Sequence, residues 1–213
     1  MNKNKISVLL VDDHLIARNG VKLMLSKEER IHIGGEAENI SSALRLAREN
    51  EFDIAIIDIS LQDENGLELL RFLKAEKPKI QVLMLSMYAE EVYAVRALKL
   101  GASGYLSKNV DASTFIKAVY KIAEGRRYIS PELADKLVDI VSGEELTTVE
   151  TLSNREIEIL KLIASGKSLV NIAEKLHLSS STVTTYRKRI LEKTGLSSNA
   201  DLINYVRENG LLH

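Results

Sequence analysis

Five residues spread along the first 108 positions of the chain could form one reactive site: the adjacent pair Asp12 and Asp13, then Asp58, Ser86 and Lys108. Each stands at or just beyond the end of a short aliphatic run, in "VLLVDDH", "IAIID", "VLMLS" and "GYLSK". Three carboxylates cannot crowd together ionised unless a cation balances them. Oxygen donors, with His14 the one imidazole nearby, suit a hard ion such as Mg2+, which keeps several waters and accepts phosphoryl oxygens as remaining ligands. A lysine opposite would balance those oxygens, and a serine would hydrogen-bond one of them. A carboxylate can itself take a phosphoryl group as an acyl phosphate. Singly, the acids read as helix caps and the lysine as surface charge. Together they point to phosphoryl transfer.

A second set lies near the C-terminus, in "SSSTVTTYRKRILEKTGL". On a helical wheel Val183, Ile190 and Thr194 share one face, flanked by Tyr186 and Leu191. The opposite face carries Ser181, Thr184, Thr185, Lys188 and Arg189. Short hydroxyls beside long cations are what a major-groove helix needs, for base edges and for phosphates. Arg187 lies nearer the apolar face and could reach the DNA backbone by snorkelling. The plainer reading of this face is a solvated, charged helix surface.

Both sets need elements to position them. Aliphatic or β-branched runs begin near Ile6, Ile31, Ile54, Ile80 and Ser103, and a helical pattern follows each. Such alternation means βαβ units and a parallel sheet. "IAIID" and "VLMLS" are continuously apolar, as central strands covered on both faces should be. The expected class is α/β: a (βα)5 doubly wound parallel sheet over residues 1–125, with ligands at the carboxyl ends of its strands. Residues 126–150 read as a linker, with a helix at 130–141 begun by Ser130 and Pro131. Beyond it only helical patterns remain, at 153–165, 169–176, 180–194 and 199–209. These form a second, small all-α domain over 151–213, with Gly166 closing its first helix and serines capping its third.

Composition narrows the function classes. The chain has 213 residues, 45% of them hydrophobic, and no cysteine, which excludes disulfides, thiol catalysis and thiolate zinc sites. The N-terminal apolar run stops at two acids after about six residues, short of the roughly 7–15 of a secretion signal. No run approaches the roughly 20 residues of a membrane span, so a cytoplasmic protein without a membrane partner is expected. Net charge is −1, but it is unevenly shared. Residues 1–150 hold 20 Lys/Arg and 24 Asp/Glu, and residues 151–213 hold 9 and 6. An acidic unit thus precedes a basic one, which suits a polyanion-binding module.

"LLVDDH", "IIDISLQDENGLELL", "VLMLS" and "GASGYLSKN" resemble the motifs of two-component receiver domains across residues 5–124. "LSNREIEILKLIASGKSLVNIAEKLHLSSSTVTTYRKRILEKTGL" resembles the helix-turn-helix of LuxR-type regulators. The pairing is similar to the NarL/FixJ family of response regulators. This resemblance implies that Asp58 accepts phosphate from a histidine kinase. It implies that Asp13, Asp58 and the Ser60 carbonyl hold Mg2+, with Asp12 in support. Ser86 matches the switch hydroxyl and Lys108 the site lysine. Tyr105 matches the aromatic rotamer switch, or is a half-buried core aromatic. It further implies a non-enzymatic transcription factor that dimerises on double-stranded promoter DNA.

Five places depart from the family pattern: Gln62 and Asn109 where prolines are common, "SLVNIA" where Asn-Lys-Glu usually precedes "IA", and Thr184 and Tyr186 where Lys and His are frequent. Gly66 is expected to free the backbone for entry into the third helix.

Other functions are less well supported. A Mg2+-dependent aspartyl-phosphate phosphatase would place a second acid two residues after the nucleophile, where this chain has Ser60. A flavodoxin-like nucleotide binder conflicts with an acidic first loop. A regulator that keeps the receiver fold but works without phosphorylation is the remaining alternative.

Overall fold

Every residue of "IAIID" is buried, which fits a strand covered on both faces. The computed structural model describes residues 5–61, 64–86, 90–130, 133–135 and 152–208. The chain divides into two compact units, Met1–Leu137 and Val138–His213.

In the first unit β1 (Ile6–Val11), α1 (Leu15–Leu25), β2 (Ile31–Ala37), α2 (Ile40–Glu49) and β3 (Ile54–Asp58) are followed by α3 (Gly66–Glu76), β4 (Gln81–Ser86), α4 (Glu90–Lys99), β5 (Gly104–Ser107) and α5 (Ala112–Ala123). The five strands form one parallel sheet in the order β2-β1-β3-β4-β5. The order reverses at β1, so the ligand crevice lies at the carboxyl ends of β1 and β3. Successive side chains alternate between the two faces. Val8, Leu10, Ile54, Ile56, Leu83 and Leu85 pack with Val21 and Leu25 of α1 and with Phe115, Val119 and Ile122 of α5. Leu9, Val11, Ala55, Ile57, Val82 and Met84 occupy the other face and are also fully buried. The doubly wound sheet is as expected. The sequence pattern did not indicate a short antiparallel hairpin, Ser60–Leu61 with Glu64–Asn65, between β3 and α3.

A helix is expected at 130–141, and only residues 130 and 133–135 of that span are described. Ser130 Oγ accepts from the Leu133 N–H at 3.3 Å, and residues 133–135 are helical. Residues 136–150 lie outside the described residues, as does Gln62.

The second unit contains α6 (Asn154–Ala164), α7 (Leu169–Lys175), α8 (Ser180–Thr194) and α9 (Asn199–Glu208). Serines cap the first three, and Ser153 with Glu156 forms a reciprocal capping box on α6. Gly166 and Gly195, at φ 79° and 67°, take the left-handed turns that end α6 and α8. Ile157, Leu160, Ile172, Val183, Ile190, Leu202 and Val206 make the core. Glu156, 2% exposed, also accepts from Lys193 Nζ at 2.7 Å and so joins the start of α6 to the end of α8.

Candidate functional site

The sheet gathers the acids because parallel strands in register end at one edge. β1 runs out into Asp12 and Asp13, β3 ends in Asp58, β4 ends in Ser86, and β5 leads into Lys108. Asp12, Asp58 and Ser86 are 2%, 3% and 0% exposed. Lys108 Nζ donates to Asp12 Oδ2 and to Asp58 Oδ2, at 2.7 Å in each case. The lysine loop is tied down by its own backbone, since Lys108 N–H donates to the Ser86 carbonyl at 2.8 Å. Ser60 follows β3 and donates its N–H to Asp58 Oδ1 at 3.2 Å. His14 Nδ1 lies 2.9 Å from Asp13 Oδ1. Asp12, Asp13, His14 and Asp58 offer donor atoms within 4.8 Å of one another.

Burial pushes the Asp58 carboxyl above its ordinary range; the Lys108 ammonium pulls it back, and the Asp12 charge adds to the rise. For Lys108, burial favours the neutral amine, but the bonds to Asp12 and Asp58 outweigh it and hold the ammonium above its ordinary value. Three ionised carboxylates against one ammonium leave an excess of two negative charges at a mostly buried edge. That charge and its oxygen donors fit a divalent hard cation.

Two neighbours of the site have roles the residue pattern did not reveal. Gly66 was expected to supply backbone freedom, but its φ is not left-handed; what it supplies is room. A Cβ there would stand 2.1 Å from the Asp58 carbonyl oxygen, while the Gly66 N–H donates to the Ile59 carbonyl at 2.9 Å. Glycine at this position therefore lets α3 start directly against the end of β3. Arg18 is 6% exposed and donates to the Asp12 carbonyl, to Glu36 (3.2 Å) and to Glu38 (2.8 Å). A signal for it was available, because Arg18 falls on the same helical stripe as Val21 and Leu25.

Tyr105 is fully buried rather than half-buried, at 0% exposure. Its strand lies between β4 and the flank of α4, which covers that face. Asn109, where the family commonly has proline, donates its N–H to Ser107 Oγ at 3.2 Å.

In the second unit, Val183 and Ile190 of α8 are buried at 0% exposure, while Ser181, Thr184, Thr185, Lys188 and Arg189 are exposed. The hydroxyls are partly used within the helix: Thr184 donates to the Ser180 carbonyl (2.8 Å) and Thr185 to that of Ser181 (3.0 Å). Their methyl groups and oxygen lone pairs remain for a partner. Arg187 is half-buried, and its Nε donates to Asn199 Oδ1 of α9 at 2.6 Å, an anchor not seen in the residue pattern. Lys188 lies 3.6 Å from Glu192, an exposed pair of the kind that contributes little.

Residues 8–120 match the response regulator receiver domain family, and residues 150–206 match the luxR family of bacterial regulatory proteins. The response regulator GacA of Pseudomonas aeruginosa is 34% identical over 209 residues, covering 97% of this chain and 98% of that protein. UvrY, a response regulator of Escherichia coli, is 30% identical over 208 residues, covering 97% and 95%. A solved structure of RcsB from Salmonella enterica serovar Typhimurium, bound to promoter rprA in the presence of the phosphomimetic BeF3−, superposes with a TM-score of 0.70 at 25% identity. It covers 96% of this chain and 99% of that one.

Proposed function

The chain belongs to the NarL/FixJ family of response regulators, in which a receiver domain is joined to a LuxR-type DNA-binding domain, and from that premise we propose that it accepts a phosphoryl group on Asp58 and then binds promoter DNA through α8. The observation that carries this reading is the Lys108 ammonium bridging Asp12 and Asp58 at the switch point of the sheet. One cation there supports the acceptor before transfer and can swing to the phosphoryl oxygens after it.

In the transfer a carboxylate oxygen of Asp58 attacks phosphorus, and the P–N bond to the phosphohistidine of a sensor kinase breaks, the histidine nitrogen keeping the bonding pair. Asp13, Asp58 and the Ser60 carbonyl would hold Mg2+, with Asp12 in support. The ion would neutralise charge on the phosphoryl oxygens. Ser86 then donates to one phosphoryl oxygen and Lys108 pairs with another. Tyr105 on the adjoining strand registers the movement of Ser86.

Residues 1–125 act as the receiver, 126–150 as the linker and 151–213 as the DNA-binding module. The activated form pairs as a homodimer on double-stranded DNA in the cytoplasm. On α8, Lys188 and Arg189 supply the cations, and Ser181, Thr184 and Thr185 supply short contacts to base edges or sugar. Arg187 is braced by Asn199 toward the backbone.

The test compares wild type with Asp58→Asn for dimerisation and promoter binding, with and without a small phosphoryl donor plus Mg2+. The donor should strengthen both in wild type and neither in the variant. Equal behaviour of the two proteins would sink the phospho-switch and favour a regulator working without phosphorylation.

A further inference from the structure

His14 is the residue of the acidic edge that the phosphoryl-transfer scheme leaves unused. Its backbone N–H donates to Asp12 Oδ1 at 2.8 Å, which folds the start of α1 back over the two acids. Its Nδ1 then stands 2.9 Å from Asp13 Oδ1 and 3.7 Å from Asp12 Oδ1. The side chain is 65% exposed, so this is not a core histidine held by packing. Two donors in adjacent positions of an octahedral ion, each about 2.1 Å from it, stand about 3.0 Å apart. The separation of His14 Nδ1 from Asp13 Oδ1 matches that edge.

We propose that His14 is a further ligand of the divalent-cation site, and that its nitrogen shifts the preference of the site from Mg2+ toward first-row transition ions such as Mn2+ and Co2+. The proposal rests on the assignment of Asp13 and Asp58 as cation ligands. Its chemical basis is a difference in how the ions value an imidazole. Mg2+ is hard and gives up its waters reluctantly, so it gains little from a nitrogen donor. Transition ions gain more, and the gain rises from Mn2+ to Co2+. An N–H donated by His14 to Asp13 would give the same 2.9 Å separation. In that arrangement His14 would orient the carboxylate and raise the affinity for all three ions alike.

Binding of Mg2+, Mn2+ and Co2+ to the full-length, unphosphorylated protein by calorimetry at one fixed pH separates the two, using wild type, His14→Ala and Asp13→Asn. Electron spin-echo spectra of the Mn2+-loaded proteins report directly on nitrogen coupling. His14→Ala should weaken Mn2+ and Co2+ by about tenfold or more and Mg2+ by less than about twofold, and the nitrogen coupling of wild type should vanish. Asp13→Asn should weaken all three ions. An equal loss of the three ions in His14→Ala, or wild-type spectra without nitrogen coupling, overturns His14 as a ligand and leaves the carboxylate site standing. If Asp13→Asn keeps full affinity for every ion, the site assignment itself fails and this proposal with it.

Discussion

Replacing Gly66 by alanine perturbs the site through a single methyl group. The added carbon would stand 2.1 Å from the Asp58 carbonyl oxygen, 3.0 Å from the Asp58 carbonyl carbon and 3.0 Å from the Ile59 Cα. Even a close C–H···O contact needs about 3.3 Å, so α3 and the end of β3 must separate by about 1 Å. All three atoms are backbone, and no rotamer change can absorb the strain. The Gly66 N–H is bonded to the Ile59 carbonyl at 2.9 Å, so the separation also stretches a buried hydrogen bond. Overpacking of this kind costs about 1–3 kcal/mol, and with the weakened bond about 3 kcal/mol is expected.

Gly20→Ala is the control. Gly20 is exposed in the middle of α1, and a Cβ there meets nothing within 4 Å. Alanine at that position should stabilise by about 0.5–1 kcal/mol through helix propensity. Urea unfolding followed by circular dichroism measures both, and the rate of Asp58 phosphorylation by a small phosphoryl donor reports the displacement of the acceptor. Gly66→Ala within about 0.5 kcal/mol of wild type, with an unchanged phosphorylation rate, would refute the close-approach argument.

Three other perturbations have defined signs. Burial pulls the Lys161 ammonium down to about 7; since its folded value lies below its unfolded one, the cost of burying the charge is fully present below pH 7 and fades as pH rises toward 10. Lys161→Met should therefore stabilise the second unit by about 2 kcal/mol at pH 6, and by progressively less at higher pH, in thermal melts across that range. Glu156 is held below its ordinary value; burial opposes this, but the bond from Lys193 and those from Ser153 prevail. Its contribution is present above about pH 4.5 and lost as pH falls through the folded value, so Glu156→Gln should cost about 2–3 kcal/mol at pH 7 and much less at pH 3 by denaturant unfolding. Val170 of α7 is 55% exposed, and the proposed DNA reading by α8 makes α7 the helix that would cross the DNA backbone. Val170→Lys should tighten promoter binding and steepen its logarithmic salt dependence by about one unit, in titrations at several salt concentrations; an unchanged slope removes α7 from the interface.

The sequence by itself determined the alternation of apolar runs and helical patterns, and with it the doubly wound sheet and the side-by-side arrival of Asp12, Asp58, Ser86 and Lys108. Those features follow from local rules. A continuous apolar run must be covered on both faces, and parallel strands in register end together. The buried and exposed faces of α8 were legible for the same reason, because a helix repeats at a known angle.

Contacts between residues distant in the chain were not legible. That Arg187 turns to Asn199 and that Tyr105 is wholly covered depend on which neighbour comes within 3 Å or closes over a face. Gly66 shows the limit most clearly. Its sequence context marked a glycine before a helix, and only the approach of α3 to the Asp58 carbonyl explains why no side chain fits there. Periodicity assigns a residue to a face, whereas the distance across that face is fixed by packing of the whole core.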